Sequence, residues 1–347
     1  MREPHRDDNT DPLAAQTNDP KLGVHVLSEF AFCPRAGLCL YEQDEQYEER
    51  AQKPDASYLH IHERNELERA LKAYSVEFWG WLLSGVTGTL VCGTVAIVSG
   101  YGLFWLGAAV VSLITFSAAI DRLGWAWRAS VHLNTWIAAQ PRMPDADSPE
   151  IEEMSWCDLR AAGFEPLDVR AANVYEPWAF GGRPWKVLEY GDLRIPVFRY
   201  PRKWKGLFPQ HFVRMTGHSM LLEKTTEYRS PYGVILRSDS LTATIVPTTE
   251  RSVESFTRAL LDAREAIKAA REINRFPPVP SGGEFCIECP WGKPEPYRRG
   301  KAFLRHTTVL ESKIVKTARG KRFHCHCGDR FGWVPPHTAV EKLGLRE

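Results

Sequence analysis

Between Leu193 and Arg214 the sequence has no carboxylate, although six Lys and Arg fall in the same stretch. A second absence lies upstream. From Phe78 to Ile120, 43 residues, there is no charged side chain of either sign. The N-terminus, MREPHRDDNTDPLAAQTNDPKLG, lacks the apolar h-region of a secretory signal and reads as a flexible tail. Cysteine is sparse: eight in 347 residues is below the density of a disulfide scaffold, which sets that class aside. No internal repeat is evident. The formal charge is only +1, so no global field steers the chain toward nucleic acid. Charge is concentrated locally instead, with eleven Lys and Arg against three acids from Pro290 to Arg330.

The uncharged run is long enough for two membrane spans, since one needs about 20 apolar residues to cross about 30 Å of hydrocarbon. They fit roughly at Phe78–Val98 and Leu103–Ile120, with SGYG as the turn. Backbone groups in lipid must pair within their own segment, so both spans are expected to be helices. Trp79, Trp81, Trp125 and Trp127 mark one interface, and Trp105 lies near the turn. Arg69, Lys72, Arg122 and Arg128 flank the run while the turn carries no charge. The positive-inside rule then places both termini in the cytoplasm. The alternative is a buried helical hairpin in a soluble core. Gly85, Gly88, Gly93, Gly100 and Gly107 permit close helix packing, which leaves room for a homo-oligomer through the hairpin.

The soluble parts follow from hydrophobic period and turn chemistry. Helices are expected over Val24–Gln43 (beginning near Ser28), Ser57–Tyr74 and about 209–224. Ser252–Arg275 shows the clearest helical period, with Val253, Phe256, Leu260, Ala263, Ile267 and Ala270 on one face. Two strand pairs are expected: Pro184–Tyr190 with Leu193–Tyr200 around Gly191-Asp192, and Tyr232–Arg237 with Leu241–Val246 around SDS. The resulting division is a flexible tail (1–22), an N-terminal helical part (23–75), the hairpin (76–121), a juxtamembrane linker (122–150), an α/β core (151–276) and a cysteine-rich module (277–347).

In that last module Cys286 and Cys289 form a C-x2-C pair, and Cys325 and Cys327 a C-x-C pair. Thiolates at such spacing converge on one metal, either tetrahedral zinc or an iron–sulfur cluster. Upstream, Arg194, Arg199, Arg202, Lys203, Lys205 and Arg214 interleave with Phe198, Tyr200, Trp204, Phe208 and Phe212. Cations neutralise phosphates and aromatic faces stack on bases, so this stretch suits nucleic acid or a nucleotide. Anionic lipid headgroups near the hairpin, or plain core packing, account for the same residues in other ways.

The order FCPRAGLCLYE, IHERNELERAL, GGRPWKVLEYGDLRIPVFRY, HFVRMTGHSMLLEK, YGVILR, an amphipathic helix and a terminal C-x2-C resembles the RecB-like, CRISPR-associated exonuclease family of the PD-(D/E)XK superfamily. The resemblance covers roughly Val24–Glu68 and Tyr175–Pro290. It implies an α/β, PD-(D/E)XK nuclease-like core with a two-helix transmembrane hairpin insertion and a C-terminal cysteine-rich metal module. It also implies a [4Fe-4S] cluster, with Cys33 of the Cys-Pro-Arg motif as first ligand beside Cys286 and Cys289. A bacterial inner membrane and a role in defence against foreign DNA come from the same resemblance.

The family's chemistry is not carried over. His62 is kept, but the metal-binding Asp falls on Trp185, the Glu-x-Lys motif on Phe198 and Tyr200, the following Gln on Arg214 and the Tyr on His218. The third C-terminal cysteine falls on Glu295, and Cys325 or Cys327 is left to replace it. Mg²⁺ or Mn²⁺ needs hard oxygen ligands, which these positions no longer supply. Acids available to a rearranged site are Glu189, expected on the strand face of Trp185, and Asp192 in the turn. The expected function is therefore a membrane-anchored, catalytically inactive nuclease-like protein that binds nucleic acid or a nucleotide. The rivals are an active metal-dependent nuclease with rearranged ligands and a membrane-perturbing effector with a nuclease-like sensor.

Overall fold

The computed structural model describes residues 11–16, 18–43, 63–200, 206–237, 239–273, 277, 292–294, 314–316 and 322–325. The chain opens with β1 (Leu22–Gly23), α1 (Val24–Phe32) and α2 (Pro34–Gln43), then two long helices, α3 (Arg64–Ser99) and α4 (Gly102–Ile137). There follow β2 (Glu152–Ser155), α5 (Trp156–Ala161), β3 (Glu165–Asp168), β4 (Asn173–Tyr175), β5 (Phe180–Gly182), β6 (Lys186–Tyr190) and β7 (Leu193–Tyr200). The body closes with α6 (Pro209–Thr225), β8 (Tyr232–Arg237), β9 (Thr242–Pro247) and α7 (Glu250–Ile273). Three short strands lie beyond it: β10 (Gly292–Pro294), β11 (Ile314–Lys316) and β12 (Arg322–Cys325).

The architecture is mixed α/β. A six-stranded sheet runs β2-β9-β8-β7-β6-β3, and a three-stranded sheet runs β1-β5-β4. In the larger sheet only β7 and β8 are parallel, and α6 is the crossover between them. Alternation along β7 sets its two faces. Leu193, Ile195 and Val197 pack with Trp156, Leu188, Val234 and Leu236. Phe198 and Tyr200 face Met215 of α6, with Ile235 and Val246. Pro196 is tolerated in a central strand because the ladder with β8 begins only at Val197.

The amphipathic helix forms as its period dictates. Phe256, Leu260, Ala263 and Ile267 of α7 are buried against Val24, Leu27 and Phe30 of α1. Burying each large apolar side chain is worth about 1.5–3 kcal/mol. The helix expected over Val24–Gln43 is two helices. Pro34 disfavours helical geometry at Cys33, which is extended (φ −159°, ψ 119°) and ends α1.

Two domain boundaries are corrected. Within the flexible tail expected over 1–22, the described residues 11–16 and 18–22 are packed on the body. Leu13 is part of the core, Asp11 accepts from Trp178 Nε1 at 2.6 Å, and buried Asp19 pairs with Lys268 and Arg264 of α7. The low hydropathy of that stretch hid ion pairs that form only with the distant α7. The linker expected over 122–150 is helical up to Ile137.

Helices α3 and α4 have 36 residues each, about 54 Å at 1.5 Å per residue. Both are long and apolar enough to cross a membrane. The turn is shorter than SGYG, with Gly100 at φ +71° capping α3. The inner seam uses small and hydroxyl residues. A Cβ on Gly85 would lie 2.5 Å from Thr115 Oγ1, and Thr89 and Ser112 share a hydrogen bond of 2.6 Å. The outer faces carry exposed Leu90, Ile97, Leu103, Leu106, Leu113 and Ile120. Among the described residues nothing covers these side chains, which favours a membrane hairpin over one buried in a soluble core. At the foot of the uncharged run Arg122 pairs with Glu77 at 3.1 Å.

Below that pair the two helices continue as a stalk, where Leu67 and Ala129 are buried with Leu71, Tyr74 and Trp125 around them. The stalk is fixed to the body. His132 Nε2 lies 3.2 Å from the Asp239 carbonyl, Glu63 pairs with Arg160 at 3.4 Å, and Trp136 packs on the core beneath β7.

Candidate functional site

Strand β7 ends beside the first two turns of α6, and four positions singled out from the sequence meet there. The Arg214 guanidinium lies 4.4 Å from the centroid of Phe198, a cation–π contact. Phe198 and Tyr200 are edge-to-face at 6.3 Å, and Tyr200 meets His211 at 5.5 Å. Arg214 donates from Nε and Nη2 to Ser28 Oγ at 3.2 and 3.0 Å, and Ser28 donates to the His25 carbonyl at 2.7 Å. One helical turn on, His218 lies against Gly182. A Cβ there would come within 2.9 Å of its Cε1, so β5 and α6 approach this closely only with glycine.

Electrostatically the site is a buried guanidinium among neutral imidazoles. Burial pushes His218 down to about 3, with the charge of Arg214 adding to it. Burial and Arg214 together push His211 down to about 4. His211 Nδ1 accepts the Phe208 N–H at 3.1 Å, which fits the neutral form. Phe198, Tyr200, Arg214 and His218 supply no carboxylate for a divalent ion, and the one neutral phenol of Tyr200 is a poor ligand, so these residues do not fit Mg²⁺ or Mn²⁺. Among the described residues no group of three or more His, Cys, Asp or Glu is placed to hold a metal.

The phosphate-binding candidates divide. Arg214, at 6% exposure, is an interior residue and does not present its charge to a ligand at the surface. Its place on the inward face of α6 took it there, against the expectation of a surface contact. Arg194 pairs with Glu189 at 2.9 Å and lies 3.8 Å over the Tyr228 ring. Arg199 lies 5.3 Å from the Trp185 ring, and burial lowers its pKa. Arg202, Lys203, Trp204 and Lys205 lie outside the described residues, as does His62.

The acids offered for a rearranged catalytic centre do not converge. Trp185 and Glu189 were expected on one strand face. Trp185 instead precedes β6 and packs with Leu188 and Val197, while Glu189 stands opposite Arg194 on the other face. Asp192 sits at the turn and pairs with Arg229 at 3.5 Å.

Of the metal candidates, Cys33 is half-buried at the joint of α1 and α2. Its neighbours Ala31 and Pro34 share a groove with Ala269 and Pro277, at the end of α7 from which the C-terminal module departs. Cys325 closes β12 in register with Gly292, three residues after Cys289 in sequence. Cys286, Cys289 and Cys327 lie outside the described residues.

Sequence reasoning missed Ser28, His25 and His211. A signal was present, because His211, Arg214 and His218 stand at i, i+3 and i+7, one face of a helix. No protein-family model matches the chain, and no curated protein matches it.

Proposed function

We propose that this protein is a membrane-anchored module that holds a phosphate-bearing ligand, a nucleic acid or a nucleotide, on a PD-(D/E)XK nuclease-like body that no longer cuts. The observation that carries the loss of cutting is the convergence of Phe198 and Tyr200 on the buried Arg214 and His218 at one face of β7 and α6. These are the positions at which the resembled nucleases keep acid, lysine, glutamine and tyrosine. Here they form a packed cation–aromatic cluster. The ligand falls to the carboxylate-free stretch itself, where Arg194 and Arg199 are half-buried beside the rings of Tyr228 and Trp185. The antiparallel pair β6–β7, the α6 crossover and the parallel β8 are in keeping with that fold.

The exposed apolar faces of α3 and α4 support insertion of the hairpin in a membrane; the inner membrane is taken from the family resemblance and cytoplasmic termini from the flanking Arg and Lys. An anchor accounts for Gly85, Gly88, Thr89, Ser112 and Thr115, which are spent on the seam between the two helices, while Gly80, Gly107 and Gly124 stay open to contact between copies. Lipid headgroups are a poor account of the β7 cations. Along α4 the body is first met at His132, about 15 Å below Arg122, beyond the Debye length of about 8 Å at physiological salt. The cysteine module is read as a metal staple, by Cys286, Cys289, Cys325 and Cys327 for zinc or with Cys33 for an iron–sulfur cluster. The sharing of one groove by Ala31 and Pro34, which flank Cys33, and Ala269 and Pro277, at the end of α7, supports the second arrangement.

The test uses the full chain in detergent micelles with end-labelled DNA and Mg²⁺ or Mn²⁺. Binding that weakens with salt, without shortening of the label, is expected. Cleavage that Glu189→Ala or His62→Ala abolishes would overturn the non-cutting reading.

A further inference from the structure

A groove of about 980 Å³ opens between the α1–α2 joint, the start of α6 and the outer face of α7. Its volume is that of a small-molecule site. It follows α7 from Arg251 to Ala269, about 27 Å.

The lining is polarised. Arg251 stands in the first turn of α7, where the helix dipole adds positive potential, and Arg258 stands two turns further on along the same face. Neither guanidinium has an ion-pair partner among the described residues. Asp262 and Glu265 stand one and two turns further on. The opposite wall is apolar and aromatic, from Phe30 of α1 and Phe208 and Phe212 at the start of α6.

We infer that this groove binds a free nucleoside phosphate, with its phosphates on Arg251 and Arg258, its base against the phenylalanine wall and its sugar hydroxyls toward Asp262 and Glu265. Arginine forks match phosphate oxygens in pairs. Carboxylates accept from ribose hydroxyls, the device of dinucleotide sites. The same two acids exclude a continuing strand, whose next phosphates would be driven against them. The inference rests on the proposed binding of a phosphate-bearing ligand, but it moves the site away from β7 and chooses the nucleotide over the polymer.

The experiment is titration calorimetry on the full chain in detergent micelles. The probes are the four nucleoside diphosphates, adenosine, pyrophosphate and a single-stranded deoxythymidine decamer. At least one diphosphate is expected to bind one per chain, with adenosine and pyrophosphate each at least tenfold weaker. Arg258→Glu should weaken that diphosphate at least tenfold and Arg258→Lys by less, with circular dichroism unchanged. Diphosphate binding indifferent to Arg251→Glu and Arg258→Glu overturns the site. A decamer that binds more tightly than any diphosphate and is lost in Arg258→Glu overturns the choice of ligand. Decamer binding lost only in Arg199→Glu, with no diphosphate bound, overturns this inference and leaves the β7 reading standing. No binding of any probe overturns both.

Discussion

Replacing Asp19 by alanine should weaken the whole body, although the residue lies in a polar stretch that looks expendable. Its carboxylate is 5% exposed, with Oδ1 2.5 Å from Lys268 Nζ and Oδ2 3.8 Å from Arg264 Nε. Oδ2 also accepts the Gln16 N–H at 2.9 Å. Arg264 is itself buried and donates to the carbonyls of Leu13 and Trp178. Removing one partner of a buried pair costs about 3–5 kcal/mol when the other charge is left uncompensated. Two features lower that figure here. Lys268 is a third exposed and turns to water, and Arg264 keeps its two carbonyls. A loss of about 2–3 kcal/mol is therefore expected, just below the buried-pair range. At about 2–4 °C per kcal/mol for a body of this size, Tm should fall by about 5–10 °C.

The assay is thermal unfolding of the full chain in detergent, followed by near-UV circular dichroism, which reads the body rather than the hairpin. It also has a pH signature. Burial raises the Asp19 pKa, but hydrogen bonds from Lys268 and Gln16 and the charge of Arg264 outweigh it, leaving it below the ordinary carboxylate value. A folded pKa depressed in this way contributes stability above the unfolded value of about 3.9 and loses it as pH falls through the folded one. The gap between wild type and Asp19→Ala should be full at pH 7 and close as pH drops below about 4. A Tm within about 2 °C of wild type at pH 7, less than 1 kcal/mol would produce, refutes the reasoning.

Four further outcomes are expected. Gly182→Ala sets a Cβ 2.9 Å from His218 and 3.2 Å from Val24, so urea unfolding should show a loss of about 1–3 kcal/mol, the usual cost of overpacking; an unchanged midpoint would mean that β5 and α6 do not approach as described. Thr89→Cys with Ser112→Cys should form an intramolecular disulfide on mild oxidation in native membranes, since the two hydroxyls are 2.6 Å apart; cross-linking only between chains would show that the seam belongs to an oligomer. Cys157 is buried, which with the nearby Asp158 and Glu63 charges pushes its thiol up to about 11, so it should resist maleimide at pH 7 in the folded protein. If the cluster staple is correct, half-buried Cys33 should label only after a chelator strips the metal, and equal labelling of Cys33 before and after would remove it from the ligand set.

Much of the local structure was legible in the sequence because its causes are local. The 43-residue uncharged run announced two long helices, and the period of Phe256, Leu260, Ala263 and Ile267 announced α7. Gly191-Asp192 announced the β6–β7 turn, where Gly191 has φ +57°. Pro34 was visible too, but its effect on Cys33 was overlooked. The site was legible only as a set of positions. That Phe198, Arg214 and His218 belong together could be suspected from their order in the chain. That Arg214 is interior, that Trp185 and Glu189 stand on opposite faces, and that Asp11 to Lys21 are tied to α7 and the 178 region could not. Those outcomes depend on which elements become neighbours: the parallel pairing of β7 with β8 through α6, and the packing of α1 and α7 on α6. A charge in the sequence states its preference for water or a partner, and only the tertiary structure decides whether a partner is within reach.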